Sequence, residues 1–89
     1  MKILIIGAGA VGFSIAKQLS AEGHDISVVD ANPKLTRKIT EKLDVSITTG
    51  NATSPSVLES AGVEEADMVL AVTTSDEVNI VTCILASKY

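Results

Sequence analysis

Tryptophan is absent from this chain of 89 residues, and phenylalanine and tyrosine occur once each. A core must therefore be built from Ile, Val, Leu and Ala, in a sequence that is 46% hydrophobic. Such side chains suit a parallel sheet covered by helices. Basic residues are in deficit, with 7 Lys and Arg against 11 Asp and Glu and a formal net charge of -4. Nucleic acid needs a basic face, and so does an anionic membrane surface, so the balance argues against both. The single cysteine, Cys83, rules out an internal disulfide and fits a reducing compartment. The single histidine, His24, has no Cys or His beside it and offers no metal site. No apolar run approaches the roughly 18 residues of a membrane span. No repeat, low-complexity stretch or linker divides the chain, and its length allows one domain at most.

What is present begins with Gly7-Ala8-Gly9-Ala10-Val11-Gly12, placed between the apolar run Ile3-Leu4-Ile5-Ile6 and a helical pattern. A Gly-x-Gly-x-x-Gly spacing in that setting reads as a dinucleotide-binding turn. Gly7 permits the tight turn off the strand. Gly9 lets a pyrophosphate approach the backbone. Gly12 lets the new helix pack closely on the strand. The free N–H groups and the positive end of that helix face the phosphates. The Met1-Lys2 start resembles a signal peptide. The glycines interrupt its apolar run, however, and its removal would delete a core strand.

Strand and helix signals then alternate to the end. Lys2 to Ile6 predicts a strand buried on both faces. Ala10 to Glu22 predicts a helix with Val11, Ile15, Ala16 and Leu19 facing inward and Gly23 as its C-terminal cap. Ile26 to Val29 predicts a second strand ending at Asp30. Asn32-Pro33 starts a second helix with an inward stripe of Leu35, Ile39 and Leu43. Its Lys34 and Arg37 belong either to a solvated face or to a phosphate or ribose contact. Val45 to Thr49 predicts a third strand, followed by Gly50-Asn51-Ala52. Ser54-Pro55 starts a short third helix with Val57, Leu58 and Ala61 inward, ended by Gly62. Glu64, Glu65 and Asp67 read as a solvated acidic connection. Met68 to Val72 predicts the fourth strand. Thr74 and Glu77 have capping-box spacing for a fourth helix. That helix is apolar over more than one stripe, which predicts burial on two sides and a packed Cys83.

The fold expected is α/β, a Rossmann-like parallel sheet of about four strands in the order 3-2-1-4 with helices on both faces. It is a single partial domain over residues 1–89, shorter than a full dinucleotide fold of five or six strands. Gly7, Asp30, Gly50 and Thr73 then leave the sheet along one edge, where ligands bind such sheets. Pyrophosphate sits over Gly9 to Gly12. Asp30, 18 residues after Gly12, accepts from the adenosine ribose hydroxyls and disfavours a 2'-phosphate, so NAD is favoured over NADP. Asp30 read without a ligand is a turn or helix cap. Asn51 either flanks the adenine or is an ordinary turn residue. Thr73 and Thr74 line the far side of the cleft, cap the fourth helix, or do both. No histidine, lysine or cysteine stands among these strand exits as an acid, base or nucleophile, so the residues give no catalytic set.

These residues resemble a known family. Met1-Lys2-Ile3 leading into the glycine motif, Val28-Val29-Asp30 with Asn32, Gly50-Asn51-Ala52, Ala66-Asp67-Met68 and above all Ala71-Val72-Thr73-Thr74-Ser75-Asp76-Glu77-Val78-Asn79 carry the resemblance. The whole chain is similar to the N-terminal nucleotide-binding (KTN, or RCK) domain of Trk-type potassium-uptake regulatory proteins. The resemblance implies contacts to NAD or NADH from Gly7, Ala8, Gly9, Ala10, Val11, Asp30, Thr73 and Thr74, with ATP or ADP in some members. It implies no enzymatic turnover, and homo-oligomers, dimeric or larger, on an integral-membrane potassium transporter or channel subunit. It places the protein in the cytoplasm, peripheral to the inner face of the cell membrane. Many members carry an acid where Asn51 stands. The alternative reading is the cofactor-binding half of an NAD-dependent oxidoreductase. A third is a small interaction domain with a vestigial cleft.

Overall fold

The structure is a computed structural model that describes the backbone of residues 1–89 and every side chain except that of Asp76. The described residues form one four-stranded sheet: β1 (Lys2–Ile6), β2 (Asp25–Asp30), β3 (Ser46–Thr49) and β4 (Met68–Ala71). The strand order is β3-β2-β1-β4 and every pairing is parallel. Helices α1 (Ala10–Ala21), α2 (Pro33–Lys42), α3 (Pro55–Ser60) and α4 (Asp76–Ala86) alternate with the strands, with a short 3-10 turn at Val63–Glu65.

β1 and β2 are the inner strands, each paired on both sides and packed on both faces, and β1 is the more deeply buried of the two. Its four apolar residues, Ile3 to Ile6, are each no more than 3% exposed. Ile3 and Ile5 join Ile26, Val28, Ala16 and Ile39 under α1 and α2. Leu4 and Ile6 join Val29, Leu58, Ala61 and Val63 under α3, with Leu85 of α4 beside them. Period-two alternation thus feeds two cores from one strand. β3 and β4 lie at the edges and are only partly covered.

Local signals set the ends of the elements. Gly23 (φ +90°) closes α1 with its N–H on the Ser20 carbonyl and the His24 N–H on the Leu19 carbonyl, a pair of bonds characteristic of a Schellman cap. Asn32 caps α2 through its side chain on the Lys34 N–H, and Pro33 takes the first helical position. Gly62 (φ +87°) turns the chain after α3.

Three expectations need correction. Val11 is 60% exposed and does not belong to the inward stripe of α1. The buried residues of that helix are Gly12 and Ala16, because close approach to the sheet puts the smallest side chains at the contact and rotates Val11 aside. The cap of α4 is Ser75, whose hydroxyl accepts from the Val78 N–H, so Thr74 and Glu77 form no capping box. Cys83 is exposed. The inward face of α4 is set by buried Thr82 and by Leu85 and Ala86, which leaves Cys83 outside beside exposed Ile80 and Ile84.

Candidate functional site

The glycine turn after β1 contains three glycines with different reasons to be glycine. Gly7 has φ +119°, and a Cβ there would lie 3.0 Å from the Val72 carbonyl carbon and oxygen. A Cβ on Gly12 would run into the Gly7 carbonyl oxygen and stand 2.8 Å from its carbon. Gly12 therefore sets how closely α1 approaches the turn. Gly9 has φ −71° and ψ −166°, a conformation open to any residue. A Cβ there would meet nothing within 4 Å. The protein's own packing thus requires Gly7 and Gly12 but not Gly9. The bare backbone at Gly9 opens outward, next to the start of α1. That helix start has no side-chain cap and no acidic residue in its first turn. Its leading N–H groups have no partner within the helix, and the helix dipole adds partial positive charge there. The place suits an anion such as a phosphate.

Asp30 ends β2 beside this turn. One carboxylate oxygen accepts from the Ala8 N–H at 2.8 Å, and the other accepts from the Asn32 N–H at 2.8 Å. The side chain ties the glycine turn to the start of α2 and is held in place by both. Each oxygen keeps a further lone pair for an incoming hydroxyl.

The third strand exit carries Asn51. Its side-chain oxygen accepts from the Thr53 N–H at 2.9 Å and the Thr53 hydroxyl at 2.7 Å, a local Asx turn. Its amide N–H₂ group is not used in that turn. The fourth exit is held from α4. The Thr73 hydroxyl donates to Asn79 Oδ1 at 2.7 Å, and the Ser75 N–H donates to the Thr73 hydroxyl at 3.1 Å. Thr73 thus bonds to the residue before α4 but does not cap the helix, which one of its expected roles required; the cap is Ser75. Thr74 is exposed.

These exits enclose a cleft of about 550 Å³ at the carboxyl edge of the sheet. That lies within the range of small-molecule sites, roughly 300–1,000 Å³. Gly7, Gly9, Ala10, Val11, Asp30, Asn51, Thr73 and Thr74 all line it. Ala8 and Gly12 do not. Ala8 is 4% exposed and offers its N–H to Asp30, while Gly12 is covered by the turn itself. The cleft also takes in Asn32, Leu35, Val72, Ser75 and Val78. Leu35 belonged to the expected inward stripe of α2, and Val72 to the expected fourth strand. Apolar periodicity marks a residue as turned inward without separating core from cleft, so sequence gave no reason to place them in the site. Asp30 is the single ionisable side chain among the described residues of this lining. Among the described residues, no group of three His, Cys, Asp or Glu side chains stands close enough to hold a metal ion.

Comparison with known proteins bears on this geometry. Residues 3–89 match the TrkA-N domain family. The Trk system potassium uptake protein TrkA of Azorhizobium caulinodans is 51% identical over 83 residues, which is 93% of this chain and 18% of that protein. The chain thus spans under a fifth of that relative's length. Among solved structures, the Shewanella denitrificans Kef CTD in AMP bound form superposes with a TM-score of 0.84 at 24% identity. That match covers all of this chain and 53% of the other. The GsuK channel bound to NAD gives 0.83 at 23% identity, over 98% of this chain and 16% of that one. At such identities the two structures establish a shared fold.

Proposed function

The chain belongs to the TrkA-N domain family, and from that premise we propose that it is a regulatory nucleotide-binding module of a potassium-uptake system. Its ligand is NAD or NADH, with ATP or ADP as the alternative. The observation that carries this reading is Gly9, a glycine that neither backbone conformation nor packing requires, open beside an uncapped helix start and close to Asp30. The pyrophosphate lies over Gly9 and the start of α1. The ribose hydroxyls donate to Asp30, whose charge repels a 2'-phosphate. Thr73, Thr74 and Asn51 line the remaining walls. The relative named as a potassium uptake protein and the NAD-bound channel support the transport setting.

The module regulates and does not catalyse. A lining with one carboxylate and no other titratable group among the described residues supplies no acid–base pair for turnover. Bound nucleotide instead biases an assembly between two states through its different affinity for each. The assembly is a homo-oligomer, dimeric or larger, built in part on the exposed outer face of α4. There Ile80 and Ile84, one turn apart, are 60% and 55% exposed. Its partner is an integral-membrane potassium transporter or channel subunit, met at the cytoplasmic side.

Titration calorimetry with NADH, NAD, NADPH, ATP and ADP tests the site, with Asp30→Ala alongside. Tight NADH or NAD binding, weak NADPH binding and loss in the variant support a redox-linked signal. Preference for ATP or ADP keeps the regulatory reading and changes the signal to energy charge. Failure of the wild-type protein to bind any of the five would overturn the site.

A further inference from the structure

We propose that Asn79 and Thr82, one turn apart on α4, are positioning residues that hold two loops of the cleft at the separation a nucleotide needs. The proposal rests on the nucleotide reading above. Neither residue lines the cleft. Each reaches a loop that does.

Asn79 grips Thr73 at both ends of its backbone. Its side-chain oxygen accepts from the Thr73 N–H at 3.1 Å and from the Thr73 hydroxyl at 2.7 Å. Its side-chain nitrogen donates to the Thr73 carbonyl at 3.1 Å. The ladder between β1 and β4 has ended by then, its last bond running from the Val72 N–H to the Ile6 carbonyl. Thr73 thus leaves the sheet with a part-buried N–H and carbonyl to satisfy. A primary amide carries a donor and an acceptor side by side and meets both. It takes the place of a neighbouring strand for one residue.

Thr82 serves the other loop. It is fully buried, and its hydroxyl donates to the Ala52 carbonyl at 3.1 Å. Valine would fill nearly the same volume without that bond, so packing alone does not call for a hydroxyl here. Ala52 follows Gly50 and Asn51 at the exit of β3, on the cleft wall. Residues three apart on a helix share one face. The rise between them is about 4.5 Å. A single stiff element therefore sets the distance between the β3 and β4 exits. If α4 moves, both walls move together.

The test uses the intact protein that carries this chain, with NADH and AMP as probes, at a temperature where circular dichroism shows every variant folded. Asn79→Asp keeps shape and acceptor but puts a negative charge against the Thr73 carbonyl in place of the donor, and Asn79→Leu, similar in size and neutral, separates the lost bonds from that charge. Thr82→Val keeps shape and loses the hydroxyl. Each is expected to weaken both probes by about tenfold or somewhat less. Hydrogen exchange at the Thr73 amide should accelerate in Asn79→Ala while the amides of Ile5 and Val28 stay protected, a local signature that general destabilisation does not give. Tyr89→Phe, which removes a surface bond to Glu59, is the control and should leave both affinities unchanged. Wild-type affinity in Asn79→Leu and Thr82→Val would overturn the positioning role and leave the nucleotide site standing. Failure of the wild-type protein to bind either probe, or NAD, NADPH, ATP or ADP, would overturn both.

Discussion

One wall of the cleft is shaped by backbone, and the neighbouring wall is held by side chains. On the first, the turn from Gly7 to Gly12 presents main-chain N–H groups, and its shape follows from two glycines that nothing larger can replace. On the second, Thr73 to Ser75 are held by the Asn79 amide, the Thr73 hydroxyl and the Ser75 hydroxyl that caps α4. The backbone wall is packed so closely that Gly7 and Gly12 have no room for a Cβ, and it is tied down by the Gly7 N–H on the Val29 carbonyl and the Ala8 N–H on Asp30. The side-chain wall is rigid only as long as several hydrogen bonds hold, each worth about 1 kcal/mol. Under the proposed nucleotide reading, recognition of a constant group such as a phosphate belongs on the first, and response to what is bound belongs on the second, where small free energies can shift the structure.

The largest effect is expected from Gly12→Ala. Its Cβ overlaps the Gly7 carbonyl, so the chain should lose about 3 kcal/mol of stability in denaturant titration. Gly9→Ala is its counterpart on the same wall. Stability should stay within about 0.5 kcal/mol of wild type. NADH affinity should fall by up to about 100-fold as the methyl displaces the pyrophosphate. If both substitutions cost stability and neither cost affinity, the distinction between the two glycines would collapse. Asp30→Asn acts on the glycine turn from the β2 side. Its amide cannot accept on both sides, so either the Ala8 or the Asn32 N–H loses its partner. A loss of about 1–2 kcal/mol in stability is expected, with NADH binding weaker by about tenfold. On the outer face of α4, Ile84→Glu should lower the mass seen by light scattering without changing nucleotide affinity, provided that face joins copies of the chain.

The smallest effect concerns Tyr89. Its hydroxyl donates to a Glu59 carboxylate oxygen at 2.7 Å, and this bond, ahead of slight desolvation and the charges of Glu59 and Glu64, raises the tyrosine pKa above its ordinary value. A pKa raised by folding means that the contribution is present at lower pH and lost as pH climbs through the folded value. The margin of wild type over Tyr89→Phe in denaturation midpoint should persist up to the ordinary tyrosine value of about 10 and disappear only as pH rises through the higher folded value.

The difference between the walls also decided what the sequence could say. The buried run Ile3 to Ile6 and the Schellman glycine Gly23 were legible because each follows from local rules about size, branching and φ, and strand order because strand–helix alternation around the glycine motif goes with a known topology. The backbone wall was legible for the same reason, since Gly7 and Gly12 mark positions where a Cβ cannot exist. Val11 was misplaced because periodicity counts apolar residues without weighing their size, whereas the helix docks by its smallest ones. The cap of α4 was placed one residue early. Thr74 and Ser75 are both competent caps, and the choice falls on Ser75 because Thr73 is pinned by Asn79. Nothing in the spacing of Asn79 and Thr82 distinguishes a clasp from two ordinary polar residues. Their partners, Thr73 and Ala52, are set by tertiary packing.

The parallel arrangement also fixes an order of events. Central β1 is the first strand to be synthesised, yet it pairs on one side with β2 and on the other with β4, and the Lys2 N–H meets Asp67 across a separation of 65 residues. Contacts so distant in sequence form slowly, because a long loop must close before any bond rewards it. A ribosome releasing this chain exposes its most apolar strand long before that strand's last neighbour exists. The cleft, bounded by the exits of both, is a late product of folding.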